Sequence, residues 1–380
     1  MRTTTWLPSA APRIQLPIAE LAAEHPEGVK LQTVDEGELV DRASFVCHAE
    51  RKREVRELPS KSFPGATVTR ITGGQVFGRQ CSVIGPSRNA IRETGFYLDG
   101  AVQTAKVPVS PWKLRYWRKR WTSDVTARWW MPPEQRISGR VAVLNARYSH
   151  NYFHWLIEIL PRLVPLQRAQ IAADYYLVDC LTPFQQDVLA ALGIEGRQLI
   201  QPHCKLLLSA DEIVLPSFPS PSCLREFAGR MLQGLGGDGP VRQPRRIFIS
   251  RRKTGTRTLR DEAGIERLLH SRGFETHTME DYPLAIQARL VHESEIVVAT
   301  HGAGLSNLIF ARPGTQVIEF VPAERFNYTC YPKRTRFFGI NHQIVFARCP
   351  QRKQVLHVAV DDLAAALGEA ERAIALAAAA

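Results

Sequence analysis

Between residues 245 and 321 short apolar runs alternate with helical stretches, and this rhythm constrains the fold more than any other feature of the chain. Arg246–Ser250 (RIFIS), Phe274–Thr278, Glu295–Thr300 (EIVVAT) and Gln316–Val321 read as buried strands. Arg260–Ser271 and Pro283–Val291 read as the helices between them, and Gly273 stands where a helix end favours glycine. Apolar strands separated by helices predict βαβ units: a parallel sheet covered on both faces. Open sheets of this kind bind ligands at the carboxyl ends of their strands.

A second, weaker rhythm precedes it. Val141–Ala146, Tyr175–Val178, Arg197–Gln201 and Glu212–Leu215 are strand candidates, and Tyr152–Arg168, Pro183–Leu192 and Leu224–Gln233 are helix candidates. The run Gly234-Leu-Gly-Gly-Asp-Gly-Pro240 then interrupts all periodicity, as a flexible connection would. A chain of 380 residues suits two domains. The expected layout is therefore an N-terminal arm (1–40) leading into a β-rich region up to 135, counted with the first domain. A first Rossmann-like domain follows over 136–235, then a linker at 236–240 and a second Rossmann-like domain over 241–350. A C-terminal helical segment occupies 351–380, with an alanine-rich helix at Asp361–Ala377 and one more strand candidate before it at Gln343–Ala347. Turn signals at Pro64-Gly65, Gly73-Gly74, Gly85-Pro86 and Asp99-Gly100 punctuate the β-rich region. Two α/β domains joined by a flexible link predict a cleft between them.

Composition removes several classes of function. No apolar stretch approaches the ~18–20 residues of a membrane span, and the first residues lack the apolar run of a signal peptide, so the expected location is cytoplasmic. The seven cysteines form no CxxC pair, which argues against a disulfide framework or a zinc ribbon. The formal net charge of +12 attracts polyanions: nucleic acid, anionic lipid, sugar nucleotides or acidic glycans. No helix-turn-helix, RRM-like motif or zinc site accompanies that charge, so nucleic acid is the weakest of these partners.

Four segments carry chemistry. In EIVVATHGAGLSNLIF a buried strand runs into His301-Gly302-Ala303-Gly304 and a helix start, where free N–H groups and a partial positive charge favour an anion. His301 would add a donor to a phosphate oxygen, Asn307 a hydrogen bond to a ligand or a neighbouring loop, and Glu319 a carboxylate for the ribose hydroxyls. The same glycines also read as a simple tight turn, and no GxGxxG fingerprint is present. In RRIFISRRKTGTRTLRDE, Arg251, Arg252 and Arg257 follow a strand end and offer the planar donors that suit a pyrophosphate, or else form a solvated basic loop. In NYFHWLIEILPRL, Asn151 is placed as an N-cap. His154 and Glu158 are i, i+4 and share a helix face, as a general base with its orienting carboxylate or as an ordinary packed pair. Residues 111–130 hold five of the seven tryptophans among six basic residues, which suits an acceptor platform or a core segment with a basic face.

These segments, in order, resemble glycosyltransferase family 61, which includes xylosyltransferase-like enzymes and proteins of capsular polysaccharide synthesis. The resemblance rests on Asn151-Tyr-Phe-His154-Trp-Leu-Ile-Glu158 with Leu160-Pro-Arg162, Ile249-Ser-Arg251-Arg252, Leu284-Ala-Ile-Gln287, and His301-Gly-Ala-Gly304-Leu-Ser-Asn307 with Pro313-Gly314 and Ile318-Glu319. It implies an α/β, GT-B-like fold of two Rossmann-type domains with a β-rich N-terminal extension, and inverting sugar transfer. The donor would be a nucleotide sugar, most simply a UDP-sugar, and the acceptor a glycan or lipid-linked glycan of a bacterial surface polysaccharide. It implies no obligatory metal or other cofactor, in keeping with the lack of a DxD motif. The basic surface would suit peripheral contact with an anionic membrane face. The rival expectations are a non-catalytic glycan- or nucleotide-binding protein of the same fold and, further off, a basic nucleic-acid-binding protein.

Overall fold

The structure, a computed structural model, describes residues 4–5, 15–86, 88, 90–91, 131–237, 239–241, 243–323, 328–349 and 355–379. The tryptophan-rich run 111–130 lies outside the described residues. Among the described residues the fold is mixed α/β with sheets of eleven, seven and two strands. It divides into two compact units, one of residues 1–36 and 64–223, the other of residues 37–63 and 224–380.

In the first unit the strand Glu134–Val143 runs parallel to Tyr175–Leu177 on one side and to Leu207–Pro216 on the other. Leu199–Ile200 extends the parallel set. Val141, Ala142 and Val143 are fully buried, as a strand covered on both faces requires. On the far side Thr67–Thr72 pairs antiparallel with Leu207–Pro216, and Val29–Thr33 pairs antiparallel with Thr67–Thr72. The segment expected as an arm is thus partly a helix, Ile18–Glu24, and a sheet strand. Ile18, Leu21 and Ala22 stand at i, i+3 and i+4, one helical face, and pack into the core with Val29, Ile71 and Val83.

The chain passes between the units at 36/37, 63/64 and 223/224. On the first unit's side one carboxylate gathers all of these ends. Asp35 accepts from the Ala66 amide at 2.6 Å, from Arg168 and the Ser220 hydroxyl at 2.8 Å each, and from the Ser222 hydroxyl at 3.0 Å. Gly65 is obligatory beside it, because a Cβ there would lie 1.9 Å from the Asp35 carbonyl oxygen. Asp35→Ala removes the acceptor shared by a half-buried guanidinium and several donors, so it is expected to lower unfolding free energy by about 1–3 kcal/mol in urea titration. Asp35→Asn should lose less, since it still accepts from Ala66. A loss below about 0.5 kcal/mol for the alanine variant would show that the cluster does not hold these ends.

The second unit is built on the strand order Phe274–His277, Arg245–Ile249, Ser294–Thr300, Gln316–Pro322, Asn341–Ala347, Ala43–Ala49, Lys52–Leu58. All are parallel up to Ala43–Ala49, and the last pair is an antiparallel hairpin. Residues 37–63, expected with the first domain, therefore complete this sheet. Phe45, Cys47 and Leu58 bury against Val321 and Ile344, which gives the inserted hairpin its place. The helix Pro221–Gly234 spans the 223/224 boundary, so the units part before the glycine-rich run rather than within it. The helices Glu262–His270 and Leu284–His292 lie where the sequence predicted them. The terminal helix Val360–Ala379 buries Leu363, Ala366, Leu367 and Ala370, a stripe at helical spacing, in the core with Phe248, Val298 and Phe320.

Candidate functional site

Arg245–Ile249 lies beside Ser294–Thr300 in the second unit's sheet, so the loops that follow them emerge at neighbouring carboxyl ends. The structure brings these loops into contact. The Arg251 guanidinium lies directly over Gly302, where a Cβ would stand 1.8 Å from Nη1. Gly302 has extended backbone, φ 175° and ψ 173°, so space rather than a dihedral angle demands glycine here. From another direction the Tyr331 hydroxyl donates to the Gly302 carbonyl at 2.6 Å. The predicted helix begins on schedule, but Ala303–Phe310 is a 3₁₀ helix, with Leu305 N–H bonded to the Gly302 carbonyl at 3.0 Å. Its first N–H groups precede the internal ladder, as at any helix start.

The loop's cations divide into two groups. Arg251 and Arg257 are partly buried, and burial lowers the pKa of each; for Arg251 the nearby Arg257 charge lowers it further. Arg257 has φ +58°, a left-handed backbone uncommon for a residue other than glycine. Arg252, expected with them, is exposed and held elsewhere. It donates to Glu266 on the helix Glu262–His270, and its Nε lies 3.1 Å from the Ser250 hydroxyl. Lys253 pairs with Asp281. Arg251 and Arg257 are thus the pair that concentrates positive charge beside the His301–Gly304 turn.

Behind the turn lies a polar relay. Glu319 is fully buried. One of its oxygens hydrogen-bonds His301 Nδ1, and the other accepts from His342 Nε2 at 2.9 Å. Burial alone would raise this carboxyl's pKa, but the hydrogen bonds from His301 and His342 outweigh it and hold the group below the usual range. The 2.9 Å separation is a hydrogen-bond length and leaves no space for an interposed cation, which needs ~2.0–2.2 Å to each ligand. The sequence reading gave Glu319 a ribose; here both oxygens are engaged by imidazoles inside the protein. Asn307 is likewise fully buried and donates to Gln287, which donates to the Tyr282 carbonyl, each at 2.8 Å. It ties the 3₁₀ helix to the helix Leu284–His292, where the sequence offered a ligand or a neighbouring loop as its partner.

Tyr331 and His342 escaped the sequence reading. His342 stands two residues before Ile344, the register partner of Glu319, so the two side chains share a face on adjacent strands. Only the register shows that.

In the first unit Asn151 caps the predicted helix, accepting from Phe153 N–H at 2.9 Å. The helix is not uniform. Trp155–Ile159 forms a widened π turn, and Leu160–Arg162 tightens to 3₁₀ around Pro161. Single π turns of this kind are frequent at functional sites. His154 Nδ1 lies 2.6 Å from Glu158, with the two side chains 29% and 25% exposed. Trp155 anchors the turn by donating to the Asp179 carbonyl at 3.1 Å. Arg162 is buried and donates to the Leu144 carbonyl at 2.7 Å and, through Nε, to the Pro216 carbonyl at 3.0 Å. It thereby joins the carboxyl ends of two parallel strands under this helix, and burial brings its pKa down to about 10. Tyr148, also missed from sequence, sits at φ +67° with its ring 5.3 Å from the His154 imidazole.

The two constellations can do different chemistry. One offers a histidine backed by a carboxylate, the arrangement of a general base. The other offers cations and a helix start, the arrangement of an anion site. Among the described residues no helix is long and apolar enough to cross a membrane. A comparison with curated proteins gives no match. A comparison with protein families matches residues 152–318 to the model described as Glycosyltransferase 61, a family that implies glycosyltransferase activity, with a sugar donor and a glycan acceptor in general. The matched span contains His154, Glu158, Arg251, Arg257 and the His301–Gly304 turn, and over residues 152–318 the chain is accordingly similar to the glycosyltransferase 61 family.

Proposed function

We propose that the chain is an inverting glycosyltransferase on a GT-B-like, two-Rossmann-unit plan, using a nucleotide sugar, most simply a UDP-sugar, as donor. The observation that carries the reading is the contact of Arg251 with Gly302. It sets a partly buried guanidinium, whose charged form burial and the nearby Arg257 disfavour, beside a strand-to-helix turn, a charge arrangement that a diphosphate would relieve.

In this reading Arg251 and Arg257 hold the diphosphate, with Gly302, Ala303 and Gly304 offering backbone at the turn and His301 its Nε2. Arg252 assists by bracing Ser250 and the helix behind the loop. The acceptor hydroxyl oxygen attacks the anomeric carbon as the bond from that carbon to the diphosphate oxygen breaks, and the diphosphate leaves with the electron pair. His154 takes the hydroxyl proton on Nε2 while Glu158 stabilises the imidazolium through Nδ1. One displacement inverts the anomeric centre and needs no covalent intermediate. The leaving group's charge is met by guanidiniums and helix-start amides, so the reading requires no metal. A glycan or lipid-linked glycan of a bacterial surface polysaccharide is the acceptor that suits it. The net charge of +12 suits work in the cytoplasm at an anionic membrane face.

A thermal-shift panel of nucleotide sugars and free nucleoside diphosphates tests the donor half. A true donor at 100 times its dissociation constant stabilises by roughly 2.7 kcal/mol, and the free diphosphate should retain most of that shift. A panel in which no nucleoside diphosphate raises the melting temperature would reject the reading. Stabilisation without transfer to any glycan acceptor would leave a binding protein instead of an enzyme.

A further inference from the structure

The exposed apolar side chains of the first unit are not scattered. Among the described residues that unit exposes four large hydrophobic side chains, Leu31, Tyr148, Leu181 and Phe218, and the last three share one edge. The strands Glu134–Val143, Tyr175–Leu177 and Leu207–Pro216 run parallel, so the loops that follow them leave from the same edge of the sheet. Tyr148, Leu181 and Phe218 stand on those three loops, 46%, 63% and 49% exposed. We propose that this edge is the acceptor-sugar subsite, with Tyr148 and Phe218 as platforms on which pyranose rings of a glycan stack. The glycan in this statement rests on the glycosyltransferase reading above; the surface itself does not depend on the donor site.

Topology puts the two rings where an open α/β sheet takes its ligands. Tyr175–Leu177 joins one side of Glu134–Val143, and Leu207–Pro216 later joins the other, so the strand order reverses between Glu134–Val143 and Leu207–Pro216. The crevice outside such a reversal, at the carboxyl ends of the strands, is a ligand site. Tyr148 and Phe218 stand on the two loops that flank it. Tyr148 also adjoins the proposed chemistry, since its ring centroid is 5.3 Å from that of His154.

Both rings are held in place. The Arg147 guanidinium lies 4.4 Å from the Tyr148 ring centroid, and that of buried Arg162 lies 5.1 Å from the Phe218 centroid. A ring fixed beforehand loses little freedom when a ligand meets it. The backbone is held too. Asn151 N–H donates to the Tyr148 carbonyl at 2.8 Å, buried Ser149 donates to Asp179, and the Ser217 hydroxyl donates to the Phe218 carbonyl at 3.0 Å. Tyr148 sits at φ +67°, a left-handed backbone that costs free energy in any residue with a Cβ. Burial does not offset that strain, because nearly half of the residue faces solvent. Strain held in an exposed ring points to use rather than to packing.

Sugar chemistry fits this edge better than a lipid or a protein face. A pyranose has apolar C–H faces and a rim of hydroxyls, so its site needs flat rings with hydrogen-bonding groups between them. The C–H groups meet the negative face of an aromatic ring. A lipid or protein partner asks for continuous apolar area. Here polar residues separate the apolar ones: Arg147 and exposed His150 lie either side of Tyr148 along the chain, and Ser217 precedes Phe218. The adjoining segment, 152–318, is also the one similar to a family that implies a glycan acceptor.

The test uses the full chain, with saturation-transfer NMR and calorimetry against di- to tetrasaccharides of hexoses, N-acetylhexosamines and uronic acids at millimolar concentration. Wild-type protein should bind at least one of them. Tyr148→Ala and Phe218→Ala should each weaken that binding by about tenfold, as loss of a stacking partner would, and Tyr148→Phe should stay within about threefold of wild type. Affinity for UDP should not change in any of these variants. Tyr148→Gly separates the ring from the fold: glycine accepts the +67° angle without strain, so the melting temperature should hold while saccharide binding falls as in Tyr148→Ala. Wild-type protein that binds no saccharide of the panel overturns the proposal, and so do alanine variants that bind as wild type does. Binding to phosphatidylglycerol vesicles, or self-association in sedimentation, that the same variants abolish would overturn it in favour of a lipid or a second copy. Failure of the wild type to bind UDP would instead remove the donor-site reading, while the saccharide measurements still decide the stacking surface.

Discussion

His154→Ala is expected to slow sugar transfer by about 10²–10⁴-fold, the usual contribution of a positioned general base. Nucleoside-diphosphate affinity should change by less than about twofold, because the residues proposed to bind the diphosphate belong to the other compact unit. The expectation rests on the 2.6 Å contact between His154 Nδ1 and Glu158, which orients the ring. Glu158→Gln keeps a hydrogen-bonding group behind the ring and removes the charge, so its loss should be smaller than that of His154→Ala. Rate measurements under donor saturation, paired with calorimetry, separate the two effects. Equal losses in turnover and donor binding would contradict this division of labour, and an unimpaired His154→Ala enzyme would move the base elsewhere.

Arg251→Ala should weaken nucleoside-diphosphate binding by roughly 10–100-fold, the range for hydrogen bonds to a charged group. Gly302→Ala offers a sharper test, because it should copy that defect without touching Arg251. The added Cβ would fall 1.8 Å from the guanidinium, which is the far end of a flexible side chain and can swing aside. The backbone at Gly302 is extended and accepts alanine without strain. Stability should therefore fall by no more than about 1 kcal/mol, while donor affinity falls as it does in Arg251→Ala. The double variant should be little worse than either single one, since both remove one interaction. Two independent, additive losses would mean that the Arg251–Gly302 contact is incidental to binding.

The parts of the site that were legible in the sequence are those fixed by local pattern. Apolar strands ending at Ile249 and Thr300 placed both loops at strand carboxyl ends, and the i, i+4 spacing paired His154 with Glu158. Local pattern could not say how the loop's cations divide. Arg251, Arg252 and Arg257 are alike in sequence, and only the positions of Glu262, Glu266 and Gly302 distinguish them. Glu319 was recognised as important and given the wrong neighbour, because a carboxylate near a strand end looks the same whether it meets a ribose or an imidazole. The helix Ile18–Glu24 was missed despite an apolar face at i, i+3 and i+4; proline-bounded and short, it gave too little periodicity to register.

The α/β character of the chain and the alternation of strands and helices after residue 245 were determined by the chain's own periodicity, since side-chain spacing along a helix or strand is a local property. Tertiary structure alone decided that residues 37–63 complete the second unit's sheet, that Asp35 gathers the first unit's chain ends, and that His342 stands behind Glu319. Each of these depends on register or packing between segments far apart in sequence. A strand carries the same alternation whichever neighbour it finds, so the choice of neighbour is made only when the sheet assembles.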